Sequence, residues 1–171
     1  KTKVEDLALF DIEYLFLQIR ARSIGEELEV KVTCEDDRET TVDVKFLVND
    51  IKVSFPKGHT NIIKLTDDIT VEMRYPDLEY FAKVNFTGGE PDPYDLMAKC
   101  IKRVYMGEDD YTPDSVEESK AWVEGLTSQQ FDTIQQFFET MPTLKHVLKV
   151  KNPNTKVVNE VVLEGLSDFF A

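Results

Sequence analysis

The sequence predicts an α+β fold: a small antiparallel sheet with an N-terminal helix, a three-helix segment and a C-terminal β-hairpin. Three observations carry that prediction. Near the start, and again from residue 94 to residue 141, apolar residues recur every three to four positions, the period that draws one stripe along a helix. Between residues 28 and 73 they recur at every second position, the period of a strand with one buried face. Turn-forming clusters punctuate the alternating runs, and Asn152-Pro-Asn-Thr155 separates two valine-rich stretches near the end.

Taken in order, Lys1 to Leu9 is charged and then apolar, and this abrupt opening leads us to expect a preceding N-terminal region. From Phe10, Asp11 can cap a helix in which Ile12, Leu15, Phe16 and Ile19 form the stripe that faces the interior, with Tyr14 and Leu17 widening it and Gly25 ending it. Leu28, Val30 and Val32 then alternate with polar residues, Cys34-Glu-Asp-Asp-Arg38 turns the chain, and Val42, Val44 and Phe46 alternate on the return. A second pair is expected from Ile51–Phe55 and Asn61–Leu65 around Pro56-Lys-Gly-His59. Ile69, Val71 and Met73 supply a fifth strand of the same sheet.

Residues 77–90 read as a helical turn followed by an irregular connection, and Gly88-Gly89 with Pro91 and Pro93 is the strongest boundary signal in the chain. Beyond it, Tyr94, Met97, Ala98, Ile101 and Val104-Tyr105 predict a helix ending at Met106-Gly107, followed by an acidic loop at Glu108-Asp-Asp110. Asp114 or Ser115 can cap the next helix, whose thin apolar face is Val116, Ala121, Trp122 and Leu126. Thr127 and Gln130 have the spacing of a capping box, so a third helix begins there, with Phe131, Ile134, Phe138 and Met141 as its stripe and Pro142 as its stop. Valines on both sides of Asn152-Pro-Asn-Thr155 close the chain in a hairpin. The organisation expected is 1–90 for the N-terminal helix and β region, 91–146 for the helical region and 147–171 for the hairpin and tail, with one continuous domain as the alternative.

Composition bounds the chemistry. With 42% hydrophobic and 11% aromatic residues, the 171-residue chain has the material for an interior of its own. The 33 acidic residues against 20 basic ones give a formal charge of -13, which repels phosphate backbones and anionic lipid surfaces. Nucleic acid and membrane are therefore not expected partners. No apolar run reaches the roughly 20 residues that span a bilayer, and no signal-peptide core follows the start, so an intracellular chain is expected. Cys34 and Cys100 lie far apart and His59 and His146 are isolated, so we expect two free thiols and no metal or other cofactor, although spacing alone leaves a Cys34–Cys100 bridge open.

Signatures of nucleophilic, nucleotide-dependent and metal-dependent catalysis are missing, and the acidic clusters lack the alternating ligands of a calcium loop. His146, beside the Met-Pro stop, is a poor candidate base because no partner accompanies it in sequence. The feature left without an assignment is the supply of large apolar side chains. Phe137, lying off the stripe of the third helix, Trp122, Leu166, Phe169 and Phe170 are the candidate interaction residues.

Three blocks, Phe10 to Gly25, Leu126 to His146 with its Phe-Phe-Glu-Thr-Met-Pro, and Leu163-Glu-Gly-Leu-Ser-Asp-Phe-Phe170, together resemble the baseplate hub subunit family of T4-like contractile-tailed phages. The resemblance covers most of the chain from Phe10 onward. It implies a non-enzymatic interaction factor in tail baseplate hub assembly, either a structural subunit or an assembly chaperone. The implied partners are hub or tape-measure proteins, with homo-oligomerisation left open, and the implied location is the host cytoplasm during assembly or the virion baseplate. Relatives begin with a further N-terminal region, and some carry a Cys-x-x-Cys turn in the first hairpin; here that turn is Cys34-Glu-Asp-Asp37, so a zinc ribbon is not carried over. Two competing readings are a hydrolase with spatially assembled carboxylates and a small metal-dependent adaptor.

Overall fold

The computed structural model describes residues 2–89 and 91–170. Its helices are α1 (Leu9–Ile24), α2 (Leu78–Phe86), α3 (Pro93–Cys100), α4 (Val116–Glu124), α5 (Ser128–Thr140) and α6 (Gly165–Asp168). Its strands are β1 (Glu27–Thr33), β2 (Thr41–Leu47), β3 (Lys52–Ser54), β4 (Ile62–Lys64), β5 (Ile69–Met73), β6 (Ile101–Met106), β7 (Asp109–Tyr111), β8 (Thr143–Lys151) and β9 (Val158–Glu164). The α+β class holds, but the strands form three antiparallel sheets, β1-β2, β3-β8-β9 and β4-β5-β6-β7, rather than one. The chain divides into two compact units, each made of separated segments: Lys1–Leu9 with Phe55–Met141, and Phe10–Ser54 with Pro142–Ala171.

In the first unit, the four-stranded sheet and its helices enclose Val71, Met73, Met97, Ile101, Val104, Val123, Ile134 and Phe137. The expected helix over residues 94–105 is half helix and half strand. Arg74 decides where it stops: its backbone N–H takes the Cys100 carbonyl at 2.7 Å and its side chain takes the Ile101 carbonyl at 3.0 Å. Those carbonyls are lost to the helix, Ile101 becomes extended, and Val104 pairs with Val71 across the sheet. Neighbouring strands thus overrode a local helical period. The acidic loop is correspondingly β7, reached through Gly107, whose φ of +62° suits a tight hairpin turn.

Caps set the helix starts of this unit. Asp77 accepts from the backbone of Glu79 and Tyr80 at α2, Asp92 from that of Tyr94 at α3 and Ser115 from that of Glu118 at α4. The capping box of α5 is complete: Gln130 donates its backbone N–H to Thr127 Oγ1, and the Thr127 N–H is returned to Gln130 Oε1 at 3.0 Å. The buried centre of α5 is Ile134 and Phe137, with Phe131 and Phe138 half-buried on either side, so the stripe is rotated from the expected one. On α4, Val123 is the deeply buried residue and Val116 is exposed.

The second unit contains α1, the β1-β2 hairpin, the β3-β8-β9 sheet and α6. The first hairpin forms as expected, and its register sets Leu28 opposite Phe46, Val30 opposite Val44 and Val32 opposite Val42. The expected pairing of Ile51–Phe55 with Asn61–Leu65 does not form: β3 pairs with β8, and β4 pairs with β5. Both are three-residue strands, too short for an alternating pattern to specify a partner.

The face of α1 also differs from the expectation. Phe10, Ile12, Glu13, Leu17 and Ala21 are buried, whereas Leu15, Phe16 and Ile19 are exposed. This helix is apolar on two sides, so periodicity established the helix without choosing its inner face.

Candidate interaction surfaces

The outward side of α1 is an exposed apolar strip. Leu15 is 43% and Ile19 65% exposed, Phe16 stands beside them, and Phe170 meets the Phe16 ring edge-on at 6.0 Å. Phe170 is held in place by its neighbours. Leu166 and Phe169 are buried, Phe169 packs edge-on to Phe46, and the Arg20 guanidinium lies 5.2 Å from the Phe170 ring centre. The tail is joined to α1 by polar contacts as well, since the buried Glu13 carboxylate accepts the backbone N–H of Leu166. Burial raises the Glu13 carboxyl from 4.5 to about 7, against the smaller opposing effect of that hydrogen bond.

A second feature of this unit joins the tips of its two hairpins. Asn152, fully buried in the turn between β8 and β9, donates through Nδ2 to Asp36 Oδ1 at 3.0 Å and Asp37 Oδ2 at 2.9 Å. Asn159 donates to Asp36 at 2.9 Å and accepts the backbone N–H groups of Glu35 and Asp36. Thr155 adds a hydroxyl donor to Asp36. Both carboxyls are held below the usual range, Asp36 chiefly by Thr155 and Asn152 and Asp37 chiefly by Thr40. Burial and these two carboxylates push the Cys34 thiol up. The turn therefore behaves as a structural clasp made of amides and carboxylates.

In the first unit, one cleft is lined by residues that include Arg74, Tyr75, Asp77, Glu79, Tyr80, Asp95 and Lys99, with a cavity of about 110 Å³. Its acids are engaged: Lys99 bonds Glu79 at 2.6 Å and Lys120 bonds Asp95 at 2.6 Å, and each pairing lowers the proton affinity of the carboxyl. A carboxylate kept ionised in this way is poorly suited to donate a proton. Cys100, also lining this cleft, is pushed up to about 12 by burial, which disfavours the reactive thiolate.

The candidates expected from sequence are thereby sorted. Phe137 is 3% exposed and forms a three-ring cluster with Tyr75 and His59, whose ring centres are 5.3 and 5.2 Å away; it belongs to the core of its unit. Leu166 and Phe169 are buried beneath Phe170, Trp122 is half-buried against the same core as Phe137, and Phe170 is 44% exposed. His59 is committed to Thr140 at 3.0 Å and Tyr75 at 2.9 Å, and His146 packs on Phe46. Among the described residues no group of three or more His, Cys, Asp or Glu side chains is placed to hold a metal ion. The α1 strip was missed as a surface because its residues have the spacing of a core stripe.

A family model described as T4 bacteriophage base plate protein matches residues 1–171. The chain belongs to this family. Membership makes it a phage baseplate protein and implies contact with other baseplate or tail proteins. No curated protein and no solved structure matches the chain. No helix among the described residues of this baseplate protein is long and apolar enough to cross a membrane.

Proposed function

We propose that this baseplate protein acts in assembly of the tail baseplate hub as a non-enzymatic binding factor that docks on a hub or tape-measure protein through α1 and the tail. The observation that carries the reading is the exposed strip of Leu15 and Ile19 continued by Phe170, with Leu166 and Phe169 as its buried footing. Side chains of this kind cost free energy in water and recover it when a partner covers them. Burying Leu166 and Phe169 fixes the tail and lowers the conformational entropy lost on docking. Half-buried Trp122 is a separate candidate contact, confined to the first unit.

The hydrolase reading has less to support it. It calls for two acids in one pocket with raised proton affinity, whereas Glu79 and Asp95 are lowered and Glu13 is raised by burial. Co-expression with hub and tape-measure proteins, followed by co-purification, tests the binding function. Co-elution with one of them that is lost in the Ile19→Lys variant is the expected result, and no association with any of them overturns the proposal. Mass spectrometry of purified virions then separates a lasting hub component from an assembly chaperone that acts in the host cytoplasm and departs.

A further inference from the structure

A second surface lies where α4 hands over to α5, wholly within the first unit. Tyr94 of α3 and Phe131 of α5 stand with ring centres 4.9 Å apart and their planes inclined by 40°. With Val123, Leu126 and Ser128 they line a cavity of about 210 Å³ that also receives Glu124 and Asp132. Tyr94 is 42% exposed, so an aromatic surface is open to solvent beside the two acids.

Neither acid forms an ion pair or hydrogen bond with a described residue. Lys120 is taken by Asp95 at 2.6 Å and Asp92 at 3.7 Å and interacts with Glu124 only through its longer-range field. The helix ends that meet here oppose each other: the C-terminal end of α4 contributes partial negative charge, and the start of α5 contributes partial positive charge, of which its capping box takes up only the Gln130 N–H within the helix. Two uncompensated carboxylates beside aromatic rings repel an anion and attract a flat cation that can stack and donate several hydrogen bonds at once.

We propose that the Tyr94–Phe131 notch receives an arginine side chain displayed on an exposed segment of a partner protein, its guanidinium stacking on the rings and bonding Glu124 and Asp132. This site shares no residue with the α1 strip, so either can fail while the other stands. The unit that holds it carries 19 acidic and 10 basic residues, which favours approach of a basic segment.

The test is a titration of the ¹⁵N-labelled full chain with acetyl-Gly-Arg-Gly-amide, followed by amide chemical shifts at low salt. The expected result is saturable shifts confined to the amides around Tyr94, Leu126, Phe131 and Asp132. Replacing arginine with its neutral isostere citrulline in the peptide should weaken binding about tenfold, as should the E124Q/D132N variant. Because both replaced acids are exposed, the variant should keep the parent spectrum elsewhere. A lysine peptide that binds more weakly supports guanidinium stacking. Equal shifts with citrulline, shifts spread over the acidic surface, equal or tighter binding of lysine, or undiminished binding by the double variant would overturn the proposal.

Discussion

Asn152 and Asp36 are 116 residues apart in the chain, yet the fully buried Asn152 amide donates to both oxygens of the Asp36 carboxylate, at 3.0 and 3.3 Å. Through this pair, two hairpin tips that lack a disulfide partner or a cluster of metal ligands are held in register. Asn152 also accepts the backbone N–H of Asn154 at 2.8 Å, so one side chain shapes its own turn and holds the other.

Replacing Asn152 with alanine removes these bonds and leaves buried polar groups without partners, which should cost about 2–3 kcal/mol in urea unfolding. Asn154→Ala, at an exposed position, should cost under about 1 kcal/mol. The pH dependence follows from the depressed carboxyls of Asp36 and Asp37. Their contribution is present above the ordinary aspartate value of about 4 and is lost as the pH falls through their lower folded values. Asn152→Ala should therefore raise the pH midpoint of acid unfolding, measured by circular dichroism.

Glu13 works in the opposite direction. Its folded value of about 7 lies above its ordinary 4.5, so the native state favours the protonated carboxyl. The associated stability is complete below about pH 4.5 and is lost as the pH rises through 7. Glu13→Gln keeps an acceptor for the Leu166 N–H and abolishes the charge. It should stabilise the protein by on the order of 2 kcal/mol at pH 8 and have little effect at pH 4, a difference readable from thermal unfolding at the two pH values.

Phe137→Ala tests the assignment of that ring to the interior. Loss of a buried aromatic packed against Tyr75 and His59 should cost about 3–5 kcal/mol in denaturant unfolding. A cost under about 1 kcal/mol would show that the ring does not serve the core.

The α1 strip predicts the converse pattern. Ile19→Lys and Phe170→Ser change exposed side chains and should leave stability within about 1 kcal/mol of the parent. Each should weaken association with the co-purifying tail protein by about tenfold or more, as expected for apolar anchors at the centre of an interface. Surface plasmon resonance with the parent and both variants provides the measurement.

By itself the sequence determined the elements whose signals are local. The α5 start was legible because Thr127 and Gln130 cap each other within one turn, the β1-β2 hairpin because both strands alternate over seven residues, and the final hairpin because Asn152-Pro-Asn-Thr155 turns in place. The family resemblance was legible for a similar reason, since it rests on contiguous blocks. Tertiary structure decided the rest. The switch from α3 to β6 depends on Arg74, β3 found its partner in β8 some 90 positions away, and α1 turned Leu17 inward and Ile19 outward. Periodicity reports that a stripe is apolar, but which of two apolar stripes is buried depends on what the remote segments bring against it. The exposed strip on α1 and the acids beside Tyr94 and Phe131 therefore emerged only once the chain was folded.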